Sequence, residues 1–308
     1  SDGQKYRFKV AKMLDSGKGT WVLDEFCATL DRITAKVVAY CVQKVARRKG
    51  RTLLVATTHE DLLEDLNPSI HISKRFGHDV SVDVRPYQPR ECSLLKHVEI
   101  KEASRGEFQR IEHFHYKGAL PQLTLKIFSA YMHGELAGAI VYSPPYFSCR
   151  GRSLALPSYK THRMTSELMK RVNRDFTRIS RVVVIPKYRS IGLGVKLVKE
   201  TLHRVNKPYV ETLAVMAKYN PFFEKAGMVK IEAPKSQDDQ AYEVALRRLE
   251  EMGFNIDLLG SKRHNLSVMS HLNPIQLEEL KRILLKHFFA RKFHEDAKLQ
   301  AAISRGDK

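Results

Sequence analysis

Apolar positions at Tyr6, Val10, Met13 and Leu14 recur at helical spacing, so the chain opens on an amphipathic helix. Thr20 to Phe26 then reads as an apolar strand, with Val22 and Leu23 expected in its buried part and Asp24–Glu25 at its carboxyl end. Ile33 to Val45 is an amphipathic segment, Lys49-Gly50-Arg51 a turn, and Thr52 to Thr57 a second buried strand running on to His59. Strand, helix and strand with polar residues at both strand ends make a βαβ unit.

After Val80 the pattern changes. Val82 to Pro89 is extended and punctuated by proline, which suits a linker or an edge strand. Val98 to Lys101 is a short alternating strand. Ser104-Arg-Gly-Glu107 is a capping box, opening a helix with Phe108, Ile111 and His115 on its apolar side. Leu123–Tyr131 and Leu136–Tyr142 flank His133-Gly134-Glu135 as a hairpin. A β-branched strand, Arg181 to Pro186, feeds a glycine-bearing turn and a helix to about Val205. Tyr209–Met216 is the next strand, and Pro221 to Gly227 a short helix entered at proline and left at glycine. From about 240 onward the chain is helical. Leu277, Leu280, Leu284 and Phe288 form one stripe there, expected to pack on the domain. These shifts suggest three segments, 1–80, 81–245 and 246–308.

Composition narrows the class of partner without naming one. Fifty-three Lys and Arg against 34 Asp and Glu give a net charge of +19. Residues 1–80 and 246–308 carry +4 each, so +11 lies in the middle segment. The stretch from Arg150 to Arg181 holds nine basic and two acidic side chains, with Tyr146, Phe147 and Tyr159 close by. Cations interleaved with aromatics suit phosphate tracking and base stacking, so DNA or RNA is a candidate partner at 150–181. A solvated basic helix or an ATPase docking surface has the same composition. Cys27, Cys41, Cys92 and Cys149 lie far apart without a C-x-x-C pair, which fits a reducing cytoplasm. No apolar run approaches the roughly 20 residues that span a bilayer, so no membrane is expected.

Two carboxylates at a strand's end can serve a nucleotide. One can hold Mg²⁺ through its water shell, and the next can orient or deprotonate the attacking water. A solvated Asp-Glu pair is the plain alternative. Four strings in order go further: Ser1-Asp2-Gly3-Gln4, Asp24–Glu25, Ala28-Thr29-Leu30-Asp31 and His59. This order resembles the carboxyl half of an ABC-type ATPase. The resemblance implies Ser1, Gly3, Gln4 and Asp31 as ATP-binding residues of the signature and D-loop. It further implies Asp24 as the Mg²⁺ ligand and Glu25 and His59 as the catalytic pair. It also implies a homodimer closed on ATP. No G-x-x-x-x-G-K-[ST] occurs in the chain, and Ser16-Gly17-Lys18-Gly19-Thr20 reads as a turn. The phosphate-cradling loop is therefore expected upstream of Ser1.

Lys187 to Gly194 is a second anion-directed feature. A strand, a glycine-bearing turn and a helix start present free N–H groups, Gly192 and Gly194 permit close approach, and Arg189 adds charge. The third glycine of a dinucleotide fingerprint is absent. With Asn220 to Met228, the Arg189-x-x-Gly192-x-Gly194 string is similar to the GNAT acyltransferase family, over about residues 96–235. That likeness implies acetyl-CoA held by Arg189, Ser190, Ile191, Gly192, Leu193 and Gly194. Val184 and Ile185 would lie at the strand splay, with Asn220 and Phe223 alongside. The family often places a tyrosine acid where this chain has Phe223, so Tyr219 is the substitute. The general base is open among Glu211, Glu112, His113 and His115.

The whole order resembles prokaryotic ABC-ATPases fused to an acetyltransferase. The expected fold is thus α/β: a partial ABC-ATPase domain, a GNAT α+β domain and a helical C-terminal extension. The expected activity is ATPase-coupled N-acetylation from acetyl-CoA, with nucleic acid a candidate acceptor. The other class is a nucleic-acid-binding ATPase whose GNAT-like part binds without catalysis. Because no phosphate-cradling loop lies in this chain, a phosphate-release assay on the purified chain alone should show no ATP hydrolysis above background.

Overall fold

The computed structural model describes residues 1–115, 120–160, 165–214, 220–232, 234 and 237–289, and of residues 238, 288 and 289 only the backbone. Tyr219 and Arg163 lie outside the described residues. Contacts divide the chain into two compact units, Ser1–Ile231 and Glu232–Lys308. The expected boundary after residue 245 falls inside a helix of the second unit, and residues 1–80 share the first unit with the segment that follows them.

The first unit begins with α1 (Asp2–Asp15), β1 (Thr20–Leu23), α2 (Arg32–Arg48) and β2 (Thr52–Val55), and β1 and β2 pair in parallel. This is the expected βαβ unit. Asp31 caps α2 by accepting the Thr34 amide at 3.0 Å, which satisfies one orphan donor of the first turn. Within the strand pair the burial differs from expectation. Trp21 is buried, whereas Val22 and Leu54 are 66% and 54% exposed on the opposite face. Successive strand residues point to opposite faces, and only one face of this two-stranded sheet is covered.

After α3 (Leu63–Leu66), β3 (Ile70–Lys74) and β4 (Val80–Val84) form an antiparallel hairpin. Val82–Val84 is thus paired, with a partner strand that sequence patterning missed. Ile70, Ile72, Val80, Val82 and Val84 share its exposed face, and Phe76 stands fully exposed at the turn.

A five-stranded sheet follows, with strands in spatial order β5 (Val98–Glu102), β6 (Lys126–Met132), β7 (Glu135–Ser143), β8 (Phe176–Val184) and β9 (Tyr209–Glu211). All neighbours are antiparallel except β8 and β9, which are parallel. Between them lie α4 (Arg105–Gln109), α5 (Arg150–Ala155), α6 (Ser166–Asp175) and α7 (Leu193–Thr201), and α8 (Phe222–Lys225) follows β9. Side-chain alternation builds two cores. Phe128, Ala130, Met132, Ile140 and Tyr142 face Leu193, Leu197 and Val198 of α7. Ile127, Ala139, Val141 and Val183 face Phe108 and Ile111 of the α4 segment. Full burial of one such leucine or phenylalanine stabilises by roughly 1.5–3 kcal/mol.

Several expected limits move. The Ser104–Glu107 capping box forms, but its helix stops at Gln109, so His115 lies beyond it. The β8 strand starts five residues before Arg181. The strand expected over Tyr209–Met216 ends at Glu211.

In the second unit, α9 (Gln237–Glu251), α10 (Lys262–Met269) and α11 (Pro274–Ile283) enclose Ala245, Leu249, Met252, Phe254, Leu280 and Ile283. Leu277, expected on the packed stripe, is exposed and Ile283 is buried instead. Arg248 bridges Glu279 of α11 and Glu251 of its own helix.

Sheet and helix meet most tightly at Gly138 on β7. A Cβ there would lie 2.7 Å from the Val183 carbonyl oxygen and 3.3 Å from Leu197. Gly138→Ala should therefore cost about 1–3 kcal/mol by urea denaturation, whereas Gly17→Ala, in open space, should not lower stability.

Candidate functional site

The site of interest forms where β9 leaves β8. Their pairing runs only from Phe176↔Tyr209 to Arg178↔Glu211. Among the described residues no strand pairs with Ile179–Val184 on that side. A β-bulge falls at the same place, because Val141 pairs with Arg181 while Tyr142 pairs with Ile179, leaving Ser180 extra. Its hydroxyl donates to the Val141 carbonyl at 3.1 Å and accepts from Ser143 at 2.9 Å. Such a bulge bends the strand and re-aims its side chains. Thr212 closes the narrow end of the opening by donating to the Ile179 carbonyl at 3.2 Å.

The turn between β8 and α7 is held from below. Tyr188, Ile191 and Leu193 are buried in the main core, and the Tyr188 hydroxyl donates to Glu135 at 3.2 Å. Lys187 pairs with the same carboxylate at 3.3 Å, and its hydrogen bond and charge hold Glu135 below the ordinary carboxylate range. With alternate side chains sunk, the backbone between them faces outward. Ser190 and Gly192 have φ of +71° and +106°. The amides of Gly192, Leu193, Gly194 and Val195 meet no acceptor among the described residues. Four free N–H groups at a helix start are an anion-binding cradle. Gly194 faces the Phe222 ring, whose Cδ2 would be 3.7 Å from a Cβ at that position.

Val184, Ile185, Arg189, Ser190, Ile191, Gly192, Leu193 and Gly194 are thus brought together as one strand end, turn and helix start. Arg189 turns back onto the strand, donating to the carbonyls of Val184 at 3.0 Å and Phe114 at 3.4 Å. Phe223 packs on the main core with its ring 4.0 Å from Phe222, an apolar place with no proton to give. Asn220 is exposed, and its carbonyl accepts the Phe222 amide at 2.9 Å. Glu112 and His113 lie on a short 3-10 turn beside β8, and a cleft next to it is lined by Arg110, Phe114, Tyr131, Glu135 and Ile185.

Glu211 has a different task from the one expected. Both its oxygens accept from Arg152, at 2.6 and 3.0 Å, and Arg152 also donates to the carbonyls of Tyr146 and Phe147. The side chains are 3% and 16% exposed, for Arg152 and Glu211 respectively. A carboxylate fixed on both oxygens by a buried guanidinium is poorly placed to take a proton from a substrate.

The same accounting thins the basic stretch. Arg178 lies over the Tyr146 ring at 4.0 Å and donates to the Pro144 carbonyl at 2.8 Å. Arg171 covers Tyr159 at 4.3 Å. Arg174 and the Tyr159 hydroxyl bind Asp175, and together they lower its carboxyl to about 2. Among the described residues Arg150, Lys160 and Lys170 are exposed without an acidic partner in ion-pair distance, while Arg171 and Arg174 are exposed but paired with Asp175.

In the βαβ unit, Asp24–Glu25 and His59 leave neighbouring parallel strands at their carboxyl ends. Asp24 accepts the Glu25 amide at 2.9 Å, and Glu25 has a φ of +47°. The start of α1 packs on the segment before Asp31: a Cβ at Gly3 would meet Leu30 at 3.1 Å and the Thr29 carbonyl at 3.8 Å. Gly3 thereby lies beside Thr29-Leu30, just before Asp31 in the chain. Among the described residues no group of three or more His, Cys, Asp or Glu is placed to hold a metal, so Asp24 stands without a protein-only ligand set. All four cysteines are free thiols. No helix among the described residues is long and apolar enough to cross a membrane.

No family model matches the chain, and no curated protein sequence matches it. Solved structures do. A GNAT family acetyltransferase from Brucella melitensis in complex with acetyl-CoA is 16% identical, covering 41% of this chain and 81% of its own, with a TM-score of 0.28. An aminoglycoside acetyltransferase from an uncultured soil metagenomic sample, in complex with sisomicin, is 12% identical, covering 47% and 96%, with a TM-score of 0.32. At these scores the likeness bears no weight about activity, which has to come from the site itself.

The bulge at Ser180, the Arg152–Glu211 pair and the partners of Asp175 were not found by sequence reasoning. A serine interrupting the β-branched run is the one local signal of the bulge. Breaking the ion pair from one side leaves a charge stranded, so Arg152→Met should cost about 3–5 kcal/mol in urea denaturation. The double variant Arg152→Met/Glu211→Leu should recover most of that loss.

Proposed function

We infer that this chain is a GNAT-type N-acetyltransferase using acetyl-CoA. The observation that carries it is the opening of β8 from β9 at the Ser180 bulge, with the Gly192–Val195 amides, which meet no acceptor among the described residues, beyond the end of the same strand. An open strand edge suits the extended amide chain of a pantetheine, and the cradle suits its diphosphate. When bound, acetyl-CoA supplies an acetyl thioester activated for transfer. The chain's own part is to hold the diphosphate, align the linker along the strand edge and offer a backbone N–H to the carbonyl oxygen as negative charge develops. An acceptor amine would gain the acetyl carbon as the C–S bond breaks, and the leaving thiolate needs a proton. Phe223 cannot give one, so Tyr219 is the proposed acid. Glu211 is bound to Arg152, which shifts the search for a base to Glu112, His113 and His115.

The βαβ unit is proposed as the carboxyl half of an ABC-type ATPase. The support is that Asp24–Glu25 and His59 follow adjacent parallel strands, and that Gly3 packs beside Thr29-Leu30, just before Asp31. ATP and Mg²⁺ would be held between two such units, which makes the protein a homodimer in this proposal. The free thiols fit a cytoplasmic setting. Nucleic acid as acceptor rests on the exposed Arg150, Lys160 and Lys170, with Arg171 and Arg174 exposed but shared with Asp175.

Isothermal titration with acetyl-CoA tests the core of this proposal. The intact chain should bind it, and Arg189→Glu and Gly192→Glu should each weaken binding at least about tenfold. Absence of binding by the parent chain would return the protein to the non-catalytic class. Mass spectrometry of RNA, DNA and protein pools incubated with acetyl-CoA would then identify the acceptor.

A further inference from the structure

Helix α2 belongs to the βαβ unit, yet one of its faces reaches the turn before α7. Ile33, Val37 and Tyr40 pack on the main core beneath the five-stranded sheet. One turn further along that stripe, Lys44 donates from Nζ to the Ser190 carbonyl at 3.3 Å. An ammonium has three donors, so this bond leaves two. Arg48 follows Lys44 by four residues and so lies on the same side of α2. Lys225, on α8 whose Phe222 ring packs against Gly194, lies close enough for its charge to act on Lys44. Among the described residues none of these three cations has an acidic partner within ion-pair distance.

Uncompensated like charges held together beside an anion cradle are costly unless an anion joins them. Burial pulls the Lys44 ammonium below its ordinary range, and the neighbouring Lys225 and Arg48 charges pull the same way. The diphosphate cradle at Gly192–Val195 does not need these cations, since its own four amides serve that group. A second phosphate, one ribose away from the first, would need them.

We propose that Lys44, with Arg48 and Lys225, is the subsite for the 3′-phosphate of coenzyme A, so that a helix of the nucleotide-type unit forms one wall of the acetyl-donor site. The proposal rests on the acetyl-CoA reading given above and adds to it the group that separates coenzyme A from its 3′-dephospho form. No bond changes in this step; the subsite discriminates by charge alone.

Titration of the full chain with CoA and with 3′-dephospho-CoA tests it. The parent chain should bind CoA about tenfold more tightly than the dephospho form, as expected for a charge-assisted contact to a dianion. Lys44→Met should bring CoA down to the dephospho level while leaving dephospho-CoA within about twofold. Equal binding of the two ligands by the parent chain would overturn the subsite and leave the acetyl-CoA reading standing. So would a Lys44→Met variant that weakens both ligands alike, since Lys44 would then act only through the Ser190 carbonyl. Failure of the parent chain to bind either ligand would sink both. Should Lys44→Met not fold, the exposed Arg48→Ala and Lys225→Ala variants carry the same comparison. Each should narrow the gap between the ligands by about two- to fivefold.

Discussion

The architecture of the five-stranded sheet depends on how briefly β9 keeps company with β8. β9 is only three residues long, and its pairing with β8 uses all three. The pairing stops at Arg178↔Glu211, at the position where Ser180 bulges out of register with β7. The bulge bends β8 away, and the Arg152–Glu211 pair pins β9 at its last residue. Two local features, one steric and one electrostatic, thus open a strand edge inside a compact unit. Among the described residues the backbone groups of that edge have no strand partner, and unpaired backbone groups carry a desolvation cost wherever they are buried.

Helix α2 gives the second constraint. Ala35, Ala39, Val42 and Ala46 face the small core with Phe26 and Leu62, while Ile33, Val37 and Tyr40 face the larger one. The two stripes lie on nearly opposite sides of one helix. Mostly small residues on the first side allow close approach to β2 and α1, and larger ones on the second pack against the main core. The two halves of the first unit are therefore joined through a shared buried element and not by a linker, so Asp31 at one end of α2 and Lys44 near the other move together.

Much of this was legible in the sequence, for physical reasons that differ between elements. The βαβ unit, the hairpin at His133-Gly134 and the turn at Gly192 could be read because periodicity and glycine are local signals. The Ser104–Glu107 cap was legible, but the end of its helix was not, since Gln109-Arg110 carries no stop signal and packing of Phe108 and Ile111 decides it. The β3 strand escaped because its apolar residues face outward, against the rule that apolar means buried. Glu211 looked like a candidate base because a lone carboxylate in sequence shows nothing of an arginine 59 residues away that holds it. The basic stretch misled in the same manner: charge can be counted along a chain, but its compensation cannot.

Arg189 has a consequence for ligand choice. Its guanidinium already serves the carbonyls of Val184 and Phe114, so the turn is braced before any anion arrives. To engage Arg189, a ligand would have to offer acceptors at least as good as two peptide oxygens. A diphosphate does so; a short thioester stripped of its nucleotide does not, and would leave the brace in place. The same side chain can thus act as a strut for the turn and, in the acetyl-CoA proposal, as a filter that favours the part of the donor farthest from the acetyl group.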